Sequence, residues 1–326
     1  MGTLARYAVS IGVAVPLLAG CGGSQPVSGA PGAVPSSRAV STDADRGDSR
    51  MLSEAKSENL MYISDPATGG VLVYSYTPPR YRFIGFLLGL AQPAGMCVDS
   101  RQNVYVTNGS FAGSQAVFEY AHGGTTPIRI LGAGGYPVDC AVDPATGNLA
   151  VIAFGARQGD FVAIFEKARG KPRIYPDTNF GVRSCTYDLH GNFFMDGAVV
   201  SGKLQFAELP RGSSRFRNIA LDQTFVSGAG VQWHGNMAVG DAYQDVIYQF
   251  HITGRSGTEV GSTPVNGSNT AGDFLIAGHS VIVPSGPQFG GGFVKIYNYP
   301  AGGNARRTLS NFTTPVAMVI SYATNR

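Results

Sequence analysis

One phrase recurs along this chain at an almost constant interval, and the interval limits the fold more than any other feature. The phrase reads "VDSRQNVYVTN" at 98–108, "VDPATGNLAVI" at 142–152 and "YDLHGNFFMDG" at 187–197. Asp99, Asp143 and Asp188 hold the same place in the three copies, 44 and 45 residues apart. Gln232, Ala277 and Ser321 continue the series with the Asp lost, and the copy around Ala277 shortens its turn to "AGHS". A period in this range is the signature of sheet repeats stacked in a closed array.

Each repeat holds four short strand-like runs. The second, for example, reads "DCAVD", "NLAVIAF", "FVAIFEKA" and "PRIYP". Runs rich in Val, Ile, Phe and Tyr bounded by Gly, Asn and Pro predict antiparallel strands. Gly-Asn at 147–148, 191–192 and 235–236 closes the turn between the first two strands, where Gly takes a positive φ at little cost. The last copy, "PVAMVIS" at 315–321, supplies one strand and stops, while three unpaired strands lie at 59–65, 70–76 and 81–88. The expected fold is therefore all-β: a six-bladed β-propeller of four-stranded antiparallel blades over 59–326, the last blade closed by both termini. Closure removes exposed sheet edges.

Composition narrows the function classes. Charged residues make up only 14% of the chain, and the net charge is +3. No long basic run is present, so no nucleic acid partner is expected. Residues 1–20 read as a lipoprotein signal peptide: Arg6, an apolar run too short to span a bilayer, then small residues before Cys21. The stretch Leu18-Ala19-Gly20-Cys21 resembles the lipobox of bacterial lipoproteins, and that resemblance makes Cys21 the lipidated first residue. Residues 21–58 then read as the lipidated Cys and a disordered tether of Gly, Ser, Pro, Ala and charge. The expected location is the cell envelope, outside the cytoplasm, with membrane lipid as one partner and the chain a monomer.

The run P-A-G-M-C-V-D…Q-N-V-Y-V at 93–106, with its weaker copies, resembles the P-x-G-x-x-V-D…G-N-x-Y-V pattern of the NHL-repeat and TolB-like group of six-bladed propellers. The resemblance covers 59–326 and implies architecture more than activity, since such folds carry scaffolds, sensors and hydrolases.

Signatures of chemistry are sparse. The sequence has no G-x-S-x-G elbow, no H-E-x-x-H and no EF-hand loop. His190, His234 and His279 sit in successive turns, which fan apart in a ring and do not converge on one ion. With Cys21 lipidated, three cysteines remain. Cys140 and Cys185 share one register, whereas Cys97 points the other way, so a disulfide, if formed, pairs Cys97 with Cys140. The alternative is three buried thiols.

The candidate ligand or metal site is carboxylate. Asp139 and Asp273 begin the inner strands of the second and fifth blades, on opposite sides of the ring. Asp65, Asp196 and Asp241, with Asn108 in the matching place, end second strands on the same face. Such a rim could hold a divalent cation, or simply cap turns. The expectation is that Asp139 and Asp273 stand too far apart to share an ion and border a solvated acidic funnel. No catalytic residue or cofactor is assigned. The leading reading is a binding or interaction module for an unidentified protein or small molecule; a purely structural envelope protein is a further reading. The rival is a metal-dependent hydrolase resembling the SMP-30/gluconolactonase group, weakened because no Glu begins an inner strand.

Overall fold

The computed structural model describes residues 48–109, 115–155, 159–176, 180–198, 204–223, 228–241, 243–268, 273–285 and 291–324. Residues 1–47, on which the expected signal peptide, the lipidated Cys21 and most of the expected tether fall, lie outside the described residues. Six small antiparallel sheets form the ring, one per repeat. The first four blades span 93–132, 136–176, 181–218 and 228–264, and the fifth spans 275–312. The sixth pairs Leu60–Asp65 with Ala317–Ser321 across the two ends of the chain, in the register Leu60↔Ser321 to Ser64↔Ala317.

Second strands are buried on both faces, as in Val104–Asn108 and Phe193–Gly197. Such a strand reads as an unbroken apolar run. Six apolar clusters hold the ring, each shared by two neighbouring blades. Leu60 and Val73 meet Met96 and Val104 between the sixth and first blades, for example, and Met61 and Ile63 meet Ile282 and Ile296 between the fifth and sixth. The Asp273 N–H donates to the Val316 carbonyl at 3.0 Å, joining the fifth inner strand to the sixth.

The recurring phrase has a local cause. Asp99 Oδ1 accepts the N–H groups of Arg101 and Asn103 at 2.9 and 2.8 Å. Asp188 Oδ1 does the same for His190 and Asn192, both at 2.8 Å, and Asp143 Oδ1 takes Ala145 N–H at 2.9 Å. Each buried Asp is thus an Asx cap that shapes the turn between the first two strands. In the later blades the same position fastens neighbours instead. Gln232 exchanges bonds of 2.7 and 3.0 Å with the Ile276 backbone, and Ser321 Oγ donates to the Gln102 carbonyl at 2.7 Å.

One expected boundary moves. The propeller does not begin at 59: Arg50–Met51 adds a fifth strand outside Phe83–Leu87, and Ala55 is buried in the core between the sixth and first blades. The open edge of an outer strand is a template for pairing, and the chain ahead of the sixth blade fills it.

Candidate functional site

The inner strands converge where they begin, and there the ladder is irregular in the first four blades. The register shifts between Pro93 and Met96, beside Val138, between Val182 and Ser184, and between Gly228 and Val231. An extra residue in one strand bends it and re-aims side chains. Position four before the anchor lines the axis in five of the blades: Gly95, Asp139 and Ser184, whose strands are bulged, then Asp273 and Ala317, whose strands are not. With Arg183 they line a cleft of about 220 Å³.

Asp139 is 5% exposed and is held from several sides. Its Oδ1 accepts Cys140 N–H at 2.8 Å; its Oδ2 accepts Cys185 N–H at 2.9 Å and Ser184 Oγ–H at 3.2 Å. Gly95 packs directly against it: a Cβ on Gly95 would sit 2.5 Å from the Asp139 Cα. Glycine is required there, and equally at Gly230, whose added Cβ would overlap the Asp273 carboxylate and whose φ is +133°. Asp273 Oδ1 accepts Phe274 N–H at 2.8 Å, and the Ser184 hydroxyl, which donates to Asp139, lies beside this carboxylate. Asp196 is fully buried. Its Oδ1 accepts Ser184 N–H at 2.9 Å, while its Oδ2 has no hydrogen-bond partner among the described residues.

Burial dominates the electrostatics. It raises the Asp196 carboxyl to about 7, against the opposing pull of Arg183 and of the Ser184 and Gly230 N–H groups. Burial also raises Asp139, helped by the Asp196 charge and offset by the three donors that hold it. Asp273 is raised further, by burial and then by the Asp139 charge. The Cys185 thiol, beside all three, is pushed well up by burial and by Asp139 and Asp273. It is held as a protonated, unreactive thiol.

This corrects the expected geometry. Asp139 and Asp273 both line the cleft, as expected, but they do not stand far apart across it: both carboxylates lie beside one hydroxyl, Ser184, next to buried Asp196, with Asp139 buried and Asp273 part-exposed. The remaining acids stay apart from it. Asp65 accepts the N–H groups of Thr313 and Thr314 at 2.7 and 2.9 Å. Asp241 caps Tyr243 and Gln244, and Asn108 Oδ1 accepts Gln92 N–H at 2.9 Å. His190, His234 and His279 are exposed. Cys97 and Cys140 form a disulfide with Cα atoms 5.6 Å apart, and Cys185 is free and buried.

Among the described residues, no three His, Cys, Asp or Glu side chains are arranged to hold a metal ion. A bound cation needs several converging oxygens, whereas Asp139 gives both of its oxygens to N–H and O–H donors, and Asp196 and Asp273 each give Oδ1 to a main-chain N–H. Ser184 and Arg183 carry no signature of their own in the sequence. Ser184 shares the register of Asp139, four residues before the anchor Asp, and that alignment is the one available signal.

No family model matches the chain, and no curated protein matches it either. Solved structures do. A protein of unknown function from Bacteroides caccae aligns with a TM-score of 0.58 at 9% identity, over 81% of this chain and 99% of its own. TolB from Acinetobacter baumannii aligns at 0.53 and 12%, over 82% and 67%. A 6-phosphogluconolactonase-like protein from Bacteroides uniformis aligns at 0.51 and 9%, over 79% and 83%. At such identities the likeness concerns the propeller fold alone.

Proposed function

We propose that this chain is an NHL-type propeller tethered to a membrane outside the cytoplasm through acylated Cys21, working as a binding or interaction module. The observation that carries the reading is the wiring of the channel. Asp139, Asp196 and Asp273 each accept main-chain N–H bonds. Their raised carboxyls favour bound protons over an open cation shell. A hydrolytic ion would need convergent ligands and one free position to activate water or polarise a carbonyl. The acids therefore lock the inner strands together, and recognition falls to the outer surfaces.

Two further features support the extracytoplasmic part. The disulfide suits an oxidising compartment. The apolar run before Cys21 has the length of a secretory signal. Fractionation tests the anchor. The intact protein should sediment with membranes through a high-salt wash, and Cys21→Ser should move it to the soluble fraction. A variant that still resists the wash would overturn the anchored reading.

A further inference from the structure

The two faces of the ring differ in charge. Inner strands begin on the channel-mouth face, so the turns between third and outer strands all lie on the other. In the second blade that turn carries Lys167, Arg169 and Lys171; in the third, Arg211 and Arg215; in the fourth, Arg255. All six are exposed, and none forms an ion pair among the described residues. Arg307 and Arg80 place exposed cations on the equivalent turns of the fifth and sixth blades.

The acids of that face are silenced. Asp99, Asp143 and Asp188 are buried Asx caps. Glu119 and Glu208 are buried and paired with Arg129 and Arg217, and Glu54 and Glu58 hold Arg82. Glu166 is the exposed acid in the second blade's turn. The neighbouring turns are contiguous: a Cβ on Gly191 would lie 3.3 Å from Asp143 of the second blade and 3.4 Å from the Arg211 side chain of the third. Beside Arg211, whose guanidinium donates to the His190 carbonyl, Leu189 stands 70% exposed in the third blade's turn. Tyr322, 46% exposed, follows the last inner strand on the same face.

We propose that this basic turn face is a docking surface for a lipid bilayer containing anionic headgroups. The proposal deepens the reading of a tethered module by saying how the propeller lies on its membrane. Exposed Lys and Arg side chains dispersed over separate turns suit delocalised negative charge rather than one bound anion, and each such residue near an anionic surface adds attraction. A protruding Leu among cations matches the interface, where an apolar tip enters below the headgroups. The tether permits the pose. The described chain starts at Asp48 on the opposite rim, and 26 residues, the number from 22 to 47, can reach at most about 85 Å at about 3.3 Å each, more than the roughly 50 Å width of a domain this size.

The test uses residues 48–326, which contain every described strand and core cluster and lack Cys21, so its outcome is independent of the anchor. The protein is sedimented with phosphatidylcholine vesicles, with and without phosphatidylglycerol as about a third of the lipid. Binding is expected only with phosphatidylglycerol and should be lost at high salt. Replacing Lys167, Arg169, Arg211 and Arg215 by Gln should weaken it at least tenfold. Leu189→Ser, which leaves the charge unchanged, should weaken it several-fold. Equal binding to neutral vesicles, full binding by the Gln variant, or capture of soluble polyphosphate without vesicle binding would overturn the proposal. The salt titration of the unaltered protein decides the matter even if the multiple variant fails to fold.

Discussion

At the scale of single residues, the informative position is Asp196. Its carboxyl is buried, raised to about 7, and leaves Oδ2 without a hydrogen bond among the described residues. A carboxyl whose folded pKa lies above its unfolded value of 3.8 holds a proton that the unfolded chain has released. Its contribution is therefore whole below about pH 4 and is lost as pH rises through about 7. Every tenfold gain in proton affinity on folding corresponds to about 1.4 kcal/mol, so the loss at pH 8 reaches about 4 kcal/mol. Asp196→Asn keeps the acceptor for Ser184 N–H and gives Nδ2 the nearby carboxylates. It should raise the melting temperature at pH 8, leave it unchanged at pH 4 and flatten the profile between. A variant destabilised equally at both pH values would show that the carboxylate is needed ionised. Asp139 and Asp273 are legible in the sequence because a charge at an inner-strand start must face the axis or be neutralised. Ser184 is not: its hydroxyl is ordinary until the fold brings two carboxylates to it.

At the scale of strands, the hydrophobic runs and Gly-Asn turns set the blades, and the split of the last blade follows from counting strands against the period. The strand Arg50–Met51 leaves no trace in the sequence, because two residues inside a polar, Gly-rich stretch carry no alternation. The open edge of Phe83–Leu87 orders them. Bulges are hidden for a related reason, since one extra residue leaves the composition of a strand unchanged. The closing strand Ala317–Ser321 feeds two cores: Met318 and Ile320 face the fifth blade's side, and Val319 faces the first. Burying three such side chains is worth roughly 5–9 kcal/mol, comparable with the whole stability of a domain. Removing residues 314–326 should abolish cooperative melting or lower it by tens of degrees. A truncated protein that melts within a few degrees of the intact one would refute the shared blade.

At the scale of the whole molecule, the ring separates two kinds of acid and base. Asp side chains near the axis lock one end, and exposed Lys and Arg crown the turns of the other. Little of this polarity is visible in the sequence, because the cations are spread over turns about 45 residues apart and become one face only when the blades fan around an axis. The central claim is that the channel acids are structural and that the molecule acts through its exterior. Thermal melting at pH 8 with millimolar Ca²⁺, Mg²⁺ or Mn²⁺, on the unaltered protein and on Asp139→Asn/Asp273→Asn, tests this most directly. The account predicts that no cation shifts either melting temperature by more than about a degree, and that the Asn pair, which sets an amide donor against an N–H donor at position 139, melts below the unaltered protein. A rise of several degrees with one cation, lost in the Asn pair, would contradict it and establish the channel as a metal site.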